Sequence, residues 1–303
     1  MSLIKEPDID PGAMHLICRL LLEEKEGLTE VGIIKRIAPA NLDHDEYQNE
    51  RGSKRVSKTI KEMPEMKILE KTGSDVYTLT KPFRNHFKTL NELTSKAFSN
   101  YLVTKTLTDE SLISNKASNC YELAHALARV MNVPEPFNIK WDDHEYKRMF
   151  APHVVNSTQW VPFSRWLCFL GFAKPHLQAT TLMLNTGEIL EPFVLDVLGA
   201  KTSVLKMEDF LSALGKKFPI SDRGSVGSEV ESPSNGTKTN NENKLLSKGL
   251  SLALLVLDQK KIIEISRPVS DDKRTQFQLS EFGEFSDLKL TDLNLVGIKA
   301  GKA

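Results

Sequence analysis

Residues Glu50 to Leu79, ERGSKRVSKTIKEMPEMKILEKTGSDVYTL, constrain this chain more than any other stretch. A cationic amphipathic helix runs directly into two short alternating runs, which are joined by Thr72-Gly73-Ser74-Asp75. At roughly 100° per residue, Arg51, Lys54, Arg55, Lys58 and Lys61 share one face of that helix, and Val56, Ile60 and Met63 share the opposite one. Lys67-Ile68-Leu69-Glu70 and Val76-Tyr77-Thr78-Leu79 bracket a glycine-containing turn, the signature of a β-hairpin. A helix followed by a hairpin is the order of a winged helix-turn-helix, in which a recognition helix precedes a wing.

The residues before it fit the same plan. Leu16, Ile17, Leu20 and Leu21 give Met14–Glu24 helical spacing, and Gly27 stops that helix. Thr29 caps a second helix through Ile37, with Val31, Ile33, Ile34 and Ile37 as its expected buried side. Pro39 ends it, and Asn41–Asn49 is a polar, acidic connector. Three helices and a wing are therefore expected over about residues 12–80. A packed helix that offers cations outward suits a phosphate backbone or groove, although a row of Lys and Arg also suits a plain solvated face.

The chain has 303 residues and a formal net charge of +0, so it is not a bulk polyanion binder, and any nucleic-acid affinity must come from a local patch. Within residues 1–80 the acids outnumber the bases, which weighs against DNA. Cys18, Cys120 and Cys168 are scattered without C-x-x-C pairing and read as buried free thiols of a reducing cytoplasm. The start MSLIKEPDIDPG is acidic and lacks an apolar core, and no apolar run approaches a membrane span, so a soluble cytoplasmic protein is expected.

Phe83–Val133 reads as helical throughout, with Asn119 and Glu122 forming a capping box and Leu123, Leu127 and Val130 an apolar face. Ser164 is expected to cap a short helix that ends at Gly171, and Asn185-Thr186-Gly187 is expected to turn. Glu188–Leu198 and Lys206–Phe218 read as amphipathic helices, and Ser221–Asn243 as a disordered polar insert. Lys244–Asp258 then forms an apolar helix, with Lys261–Ser266 and Thr275–Leu279 as a following hairpin. Helix and hairpin thus recur. The fold class expected is mainly α with small β-hairpin wings: a winged-helix domain (1–80), a helical connector (81–156), and a second winged-helix-like domain (157–303) with an insert at about 221–243.

Catalytic patterns are weak. Gly199-Ala200-Lys201-Thr202 lacks the spacing of a phosphate loop. Asp142, Asp143 and His144, with His153, are a loose acidic cluster rather than a spaced ligand set. Cys120 and His125 lie five residues apart on one helix, about 140° from each other, which rules out a Cys–His pair made from those two alone. No catalytic, metal or cofactor site is expected.

The run Phe163-Ser164-Arg165-Trp166-Leu167-Cys168-Phe169-Leu170-Gly171-Phe172-Ala173 after Trp160, then Phe210-Leu211, Phe218-Pro219-Ile220 and Leu250-Ser251-Leu252-Ala253-Leu254-Leu255, resembles the DpdG-like proteins encoded beside bacterial 7-deazaguanine DNA-modification genes. The resemblance covers nearly the full length. The chain departs from the family pattern in its acidic connector Asp43–Glu46 and in the polar insert. The resemblance implies an accessory component of a DNA-modification or phage-restriction system that works with larger helicase or nuclease partners, and it carries over no catalytic residues.

The combined reading is a non-enzymatic DNA-binding or assembly subunit whose partners are duplex DNA and other protein subunits. Arg51, Lys54, Arg55, Lys58 and Lys61 would meet phosphate, Lys71 and Ser74 would reach the backbone from the wing, and Ser53 and Ser57 would donate to phosphates. The alternatives are a protein-docking subunit, a metal-dependent hydrolase using Asp142, Asp143, His144 and His153, and a simple repressor, which would need a dimerisation element.

Overall fold

A computed structural model describes residues 3–38, 46–73, 75–133, 136–137, 139, 144–175, 181–199, 204–230, 245–266, 277–279, 294–295 and 297–301. It is mainly helical with small antiparallel sheets, and it divides into two compact units: Met1–Leu123 with His153–Leu170, and Ala124–Pro152 with Gly171–Ala303.

In the first unit, Leu3, Ile4 and Ile9 bury a short leading segment. Asp10 caps α1 (Pro11–Glu23) by accepting from the Ala13 N–H at 3.0 Å, and Pro11 takes the first helical position, where a missing N–H costs nothing. Ile17 and Leu21 face the core as expected. Leu16 is 52% exposed, because helical geometry puts it opposite Met14 and Cys18.

Gly27 ends the following turn at φ +80, and a Cβ there would lie 2.5 Å from the Tyr77 carbonyl oxygen. β1 (Leu28–Thr29) leads into α2 (Glu30–Ile37), which Thr29 caps through the Gly32 N–H at 3.2 Å. Of the four residues expected on its buried side only Ile33 is buried. Val31, two positions earlier, projects the other way and is 61% exposed.

α3 (Glu46–Glu62) begins inside the stretch read as connector. The chain then turns through Lys67, at φ 59, and the Ile68 N–H donates to the Met63 carbonyl. The strand consequently starts later than expected, as β2 (Leu69–Lys71), and pairs with β3 (Val76–Leu79) by Leu69↔Leu79. β3 also pairs with β1 by Leu28↔Tyr77, giving an antiparallel sheet of order β1-β3-β2.

The next stretch is helical in pieces rather than continuously: α4 (Lys81–His86), α5 (Ser95–Tyr101), a π-helical turn at Leu102–Thr106, α6 (Glu110–Ile113) and α7 (Asn119–Val130). The expected capping box on α7 does not form. The Ser118 hydroxyl accepts from the Cys120 N–H at 3.2 Å, Asn119 instead donates to the Glu62 carbonyl and carboxylate at 3.1 Å, and Glu122 pairs with Lys5. Leu123, Leu127 and Val130 are all buried.

α8 (His144–Phe150) belongs to the second unit, and α9 (Ser157–Leu170) to the first. α9 starts earlier than expected: Asn156 caps it by accepting from the Gln159 N–H at 2.9 Å, and Ser164 lies inside the helix with its hydroxyl donating to the Val161 carbonyl. Gly171, at φ +82, ends it where the sequence indicated.

The second unit continues with β4 (Ala173–Pro175), β5 (Leu182–Leu184), α10 (Thr186–Leu198), β6 (Leu205–Lys206), α11 (Met207–Lys217), α12 (Ser225–Glu229), α13 (Lys248–Gln259), β7 (Ile263–Ser266), β8 (Phe277–Gln278), β9 (Asn294–Leu295) and β10 (Gly297–Ala300). Thr186 and Gly187, read as a turn, are buried in the first turn of α10. α12 occupies part of the expected polar insert, and residues 231–244 of that insert lie outside the described residues.

The expected hairpin between Lys261–Ser266 and Thr275–Leu279 is also corrected. β7 pairs with β10 by Ile265↔Ile298, and Phe277 pairs with Leu295. The third sheet strand is therefore drawn from well downstream, giving the order β6-β10-β7. With α12 and the β8–β9 pair set aside, α10-β6-α11-α13-β7-β10 repeats the order α1-β1-α2-α3-β2-β3, down to the position of each strand in its sheet.

The buried Asp222 carboxylate fixes the start of α13. It accepts from the Ser247 N–H at 2.7 Å and from its hydroxyl, while the Ser247 hydroxyl oxygen accepts from the Leu250 N–H at 3.2 Å. Burial pushes the Asp222 carboxyl above its ordinary value, partly offset by the Ser247 bonds.

Two substitutions test these constraints. Gly27→Ala forces a side chain into a left-handed backbone against the β3 carbonyl and is expected to lower stability by about 1–3 kcal/mol in urea unfolding. Asp222→Ala orphans the Ser247 donors and is expected to cost about 1–3 kcal/mol. Because the folded Asp222 pKa lies above the unfolded one, this group binds its proton more tightly in the folded state. Its contribution is thus greatest below the unfolded pKa of about 3.9 and declines as pH rises through the folded value, so the gap between wild type and variant should shrink with rising pH.

Candidate nucleic-acid interface

α3 is positioned by its apolar side, where Val56, Ile60 and Met63 are buried. That turns the cations of the sequence outward together, and there they meet carboxylates. Lys58 Nζ lies 2.6 Å from Glu6 and 3.2 Å from Asp8. Lys54 lies 3.7 Å from Asp8, Arg55 3.9 Å from Asp10, and Lys61 3.5 Å from Glu30. The Ser57 hydroxyl donates to Glu30. The Glu6 hydrogen bond pushes the Lys58 ammonium up from its ordinary pKa. Among the described residues, Arg51 faces no carboxylate within ion-pair distance, and Ser53 is half-buried.

On the hairpin, Lys71 pairs with Asp75 at 2.8 Å and lies 5.7 Å from the centre of the Tyr77 ring. The ammonium holds the Asp75 carboxyl below its usual range, and Asp75 raises Lys71 in return. Lys71 also feels Glu30, the carboxylate that meets Lys61, so the hairpin and the end of α3 share one electrostatic neighbourhood. Ser74 lies outside the described residues.

These pairs differ in strength. The side chains of Lys54, Lys61 and Lys71 are 59%, 58% and 49% exposed, and an exposed pair contributes about 0–1 kcal/mol, which a phosphate can replace. Lys58 is more enclosed and holds two carboxylates.

Sequence reasoning identified the cations but missed Glu6, Asp8, Asp10 and Glu30 as their partners. The only available signal was the acidic run near the N-terminus, and no periodicity connects it with a helix some fifty residues later.

The other sequence candidates are placed apart. Cys120 and the adjoining Asn119 pack toward α3, whereas the buried His125 meets Glu229 at 3.1 Å. Burial drives the Cys18 thiol well above its ordinary value, Cys120 to about 12, and Cys168 upward as well. His153 is buried beside the Tyr121 ring, while Asp142 and Asp143 lie outside the described residues. Among the described residues no group of three or more His, Cys, Asp or Glu is placed to hold a metal, and no helix is long and apolar enough to cross a membrane.

A helical chain with two small antiparallel sheets of matching connectivity and a cationic helix beside a hairpin is the class these observations define. The family model for DpdG-like proteins matches residues 1–272, and the chain belongs to that family. No curated protein and no solved structure matches it.

The thiol environment gives a direct check. At pH 8 a disulfide reagent is expected to label Cys168 slowly in the native protein, and Cys18 and Cys120 only after unfolding.

Proposed function

We propose that this protein is a non-enzymatic DNA-binding and assembly subunit of a DNA-modification or phage-defence system, with residues 11–79 acting as a winged-helix module on duplex DNA. The observation that carries this reading is the α1-β1-α2-α3-β2-β3 order with sheet order β1-β3-β2, which sets a cationic α3 beside a hairpin bearing Lys71. Membership of the DpdG-like family supports the DNA-modification or defence setting.

On this reading Arg51, Lys54, Lys61 and Lys71 make the first phosphate contacts, since they are the accessible cations of the face. The second unit repeats the order, but its equivalent helix α13 carries Leu250, Ala253, Leu254 and Leu257 inward and only Lys248 and Asp258 as charges, which fits assembly with other subunits rather than phosphate.

One observation favours a second reading: the α3 cations meet the protein's own carboxylates, as they would if α3 were a docked structural helix of a protein-interaction subunit.

Binding to a labelled random duplex across a salt series separates the two. Under the DNA reading, affinity falls steeply with salt. The variant Arg51→Ala/Lys54→Ala/Lys61→Ala/Lys71→Ala then weakens binding to all sequences alike and flattens the log–log salt slope by about 3 to 4, at about 0.9 per lost phosphate contact. Absent or salt-indifferent binding would move the assignment to the docking subunit.

A further inference from the structure

The leading segment, residues 3–10, is fastened to the same helix that the proposed function assigns to DNA. Leu3, Ile4 and Ile9 are buried, the Leu3 N–H donates to the Asn119 carbonyl at 3.3 Å, and the Asp10 N–H donates to the hydroxyl oxygen of Thr59, on α3 itself, at 3.2 Å. From that anchored backbone Glu6, Asp8 and Asp10 meet the cationic face: Glu6 and Asp8 converge on Lys58, Asp8 also approaches Lys54, and Asp10 approaches Arg55. Arg165 steadies the same segment through Asp10 and the Pro7 carbonyl, each at 3.0 Å.

We propose that Glu6 and Asp8 form an intramolecular polyanion that occupies the middle of the α3 cationic face and competes with nucleic acid for it. The inference rests on the DNA-binding reading of α3 and adds a built-in restraint to it. The geometry separates two sets of cations. Arg51, Lys61 and Lys71 lie outside the reach of Glu6 and Asp8 and can meet phosphate at once. Lys58, and in part Lys54, become available only when the two carboxylates release them. The resting protein therefore binds duplex weakly, and anything that neutralises or withdraws residues 6–8 raises its affinity. The physical reason is charge: a phosphate entering this face must displace one carboxylate and endure the field of the next, at short range and in a partly enclosed site.

Asp10 is left intact in the test because it caps α1 and holds Arg165. Full-length wild type is compared with Glu6→Gln/Asp8→Asn in fluorescence anisotropy on the same random duplex, across a salt series, with thermal unfolding of both proteins. The amide variant keeps side-chain size and backbone anchors. It is expected to bind about tenfold more tightly at low salt. Its salt slope should also be steeper by nearly 2, because two further cations meet phosphate at about 0.9 each. Glu6→Gln alone, which leaves Asp8 on Lys58, should give an intermediate gain and keeps the test usable if the double variant folds poorly. Duplex binding by wild type, with unchanged affinity and slope in both variants, would overturn the restraint and leave the DNA reading standing. If neither wild type nor variants bind duplex, the DNA reading falls and the restraint falls with it.

Discussion

Helix α3 is gripped from two sides, and the first unit is organised around that grip. Burial of Val56, Ile60 and Met63 stabilises by about 1.5–3 kcal/mol each and decides which way the helix faces. The opposite side then carries a row of like charges that would repel one another along the helix. Glu6, Asp8, Asp10 and Glu30 offset that repulsion from two different segments of chain. Asp10 works hardest of these: one carboxylate caps α1, approaches Arg55 on α3 and meets Arg165 on α9, so three helices share a single anion.

The two units show how one connectivity accommodates different surface chemistry. Each lays an antiparallel sheet, with its third strand in the middle, against three helices. In the first, the helix before the hairpin is cationic on its outer face. In the second, the corresponding α13 is apolar along most of its length and is set by the Asp222–Ser247 clamp. Fold alone therefore does not assign a partner, and the charge pattern on one helix face carries the distinction.

Much of the first unit was legible locally. The Thr29 cap, the stops at Gly27 and Gly171, the buried stripe on α3 and the Val76–Leu79 strand all follow from short-range rules, because caps, left-handed glycines and periodicity are settled within a turn or two of chain. Errors arose where a residue had two local options and a distant partner chose between them. Asn119 looks like a helix cap yet reaches Glu62, and Ser164 looks like a cap yet sits inside a helix begun at Asn156. Phe277 sits where a hairpin partner for β7 was expected, but β7 pairs with Ile298 and its neighbours instead. Strand pairing depends on register between segments of unlimited separation, which a local pattern does not encode.

By itself the sequence determined where the helices lie, that α3 has a cationic and an apolar face, that a hairpin follows it, and that the whole chain carries no net charge. Those properties depend on residue order and residue type over a few turns. Only the tertiary structure decided what the cations touch. Glu6 and Asp8 lie some fifty residues from Lys58 in sequence, and burial of Leu3, Ile4 and Ile9 is what brings those carboxylates onto the helix. A charge has its local sign in the sequence, but the field it experiences depends on every segment folded against it.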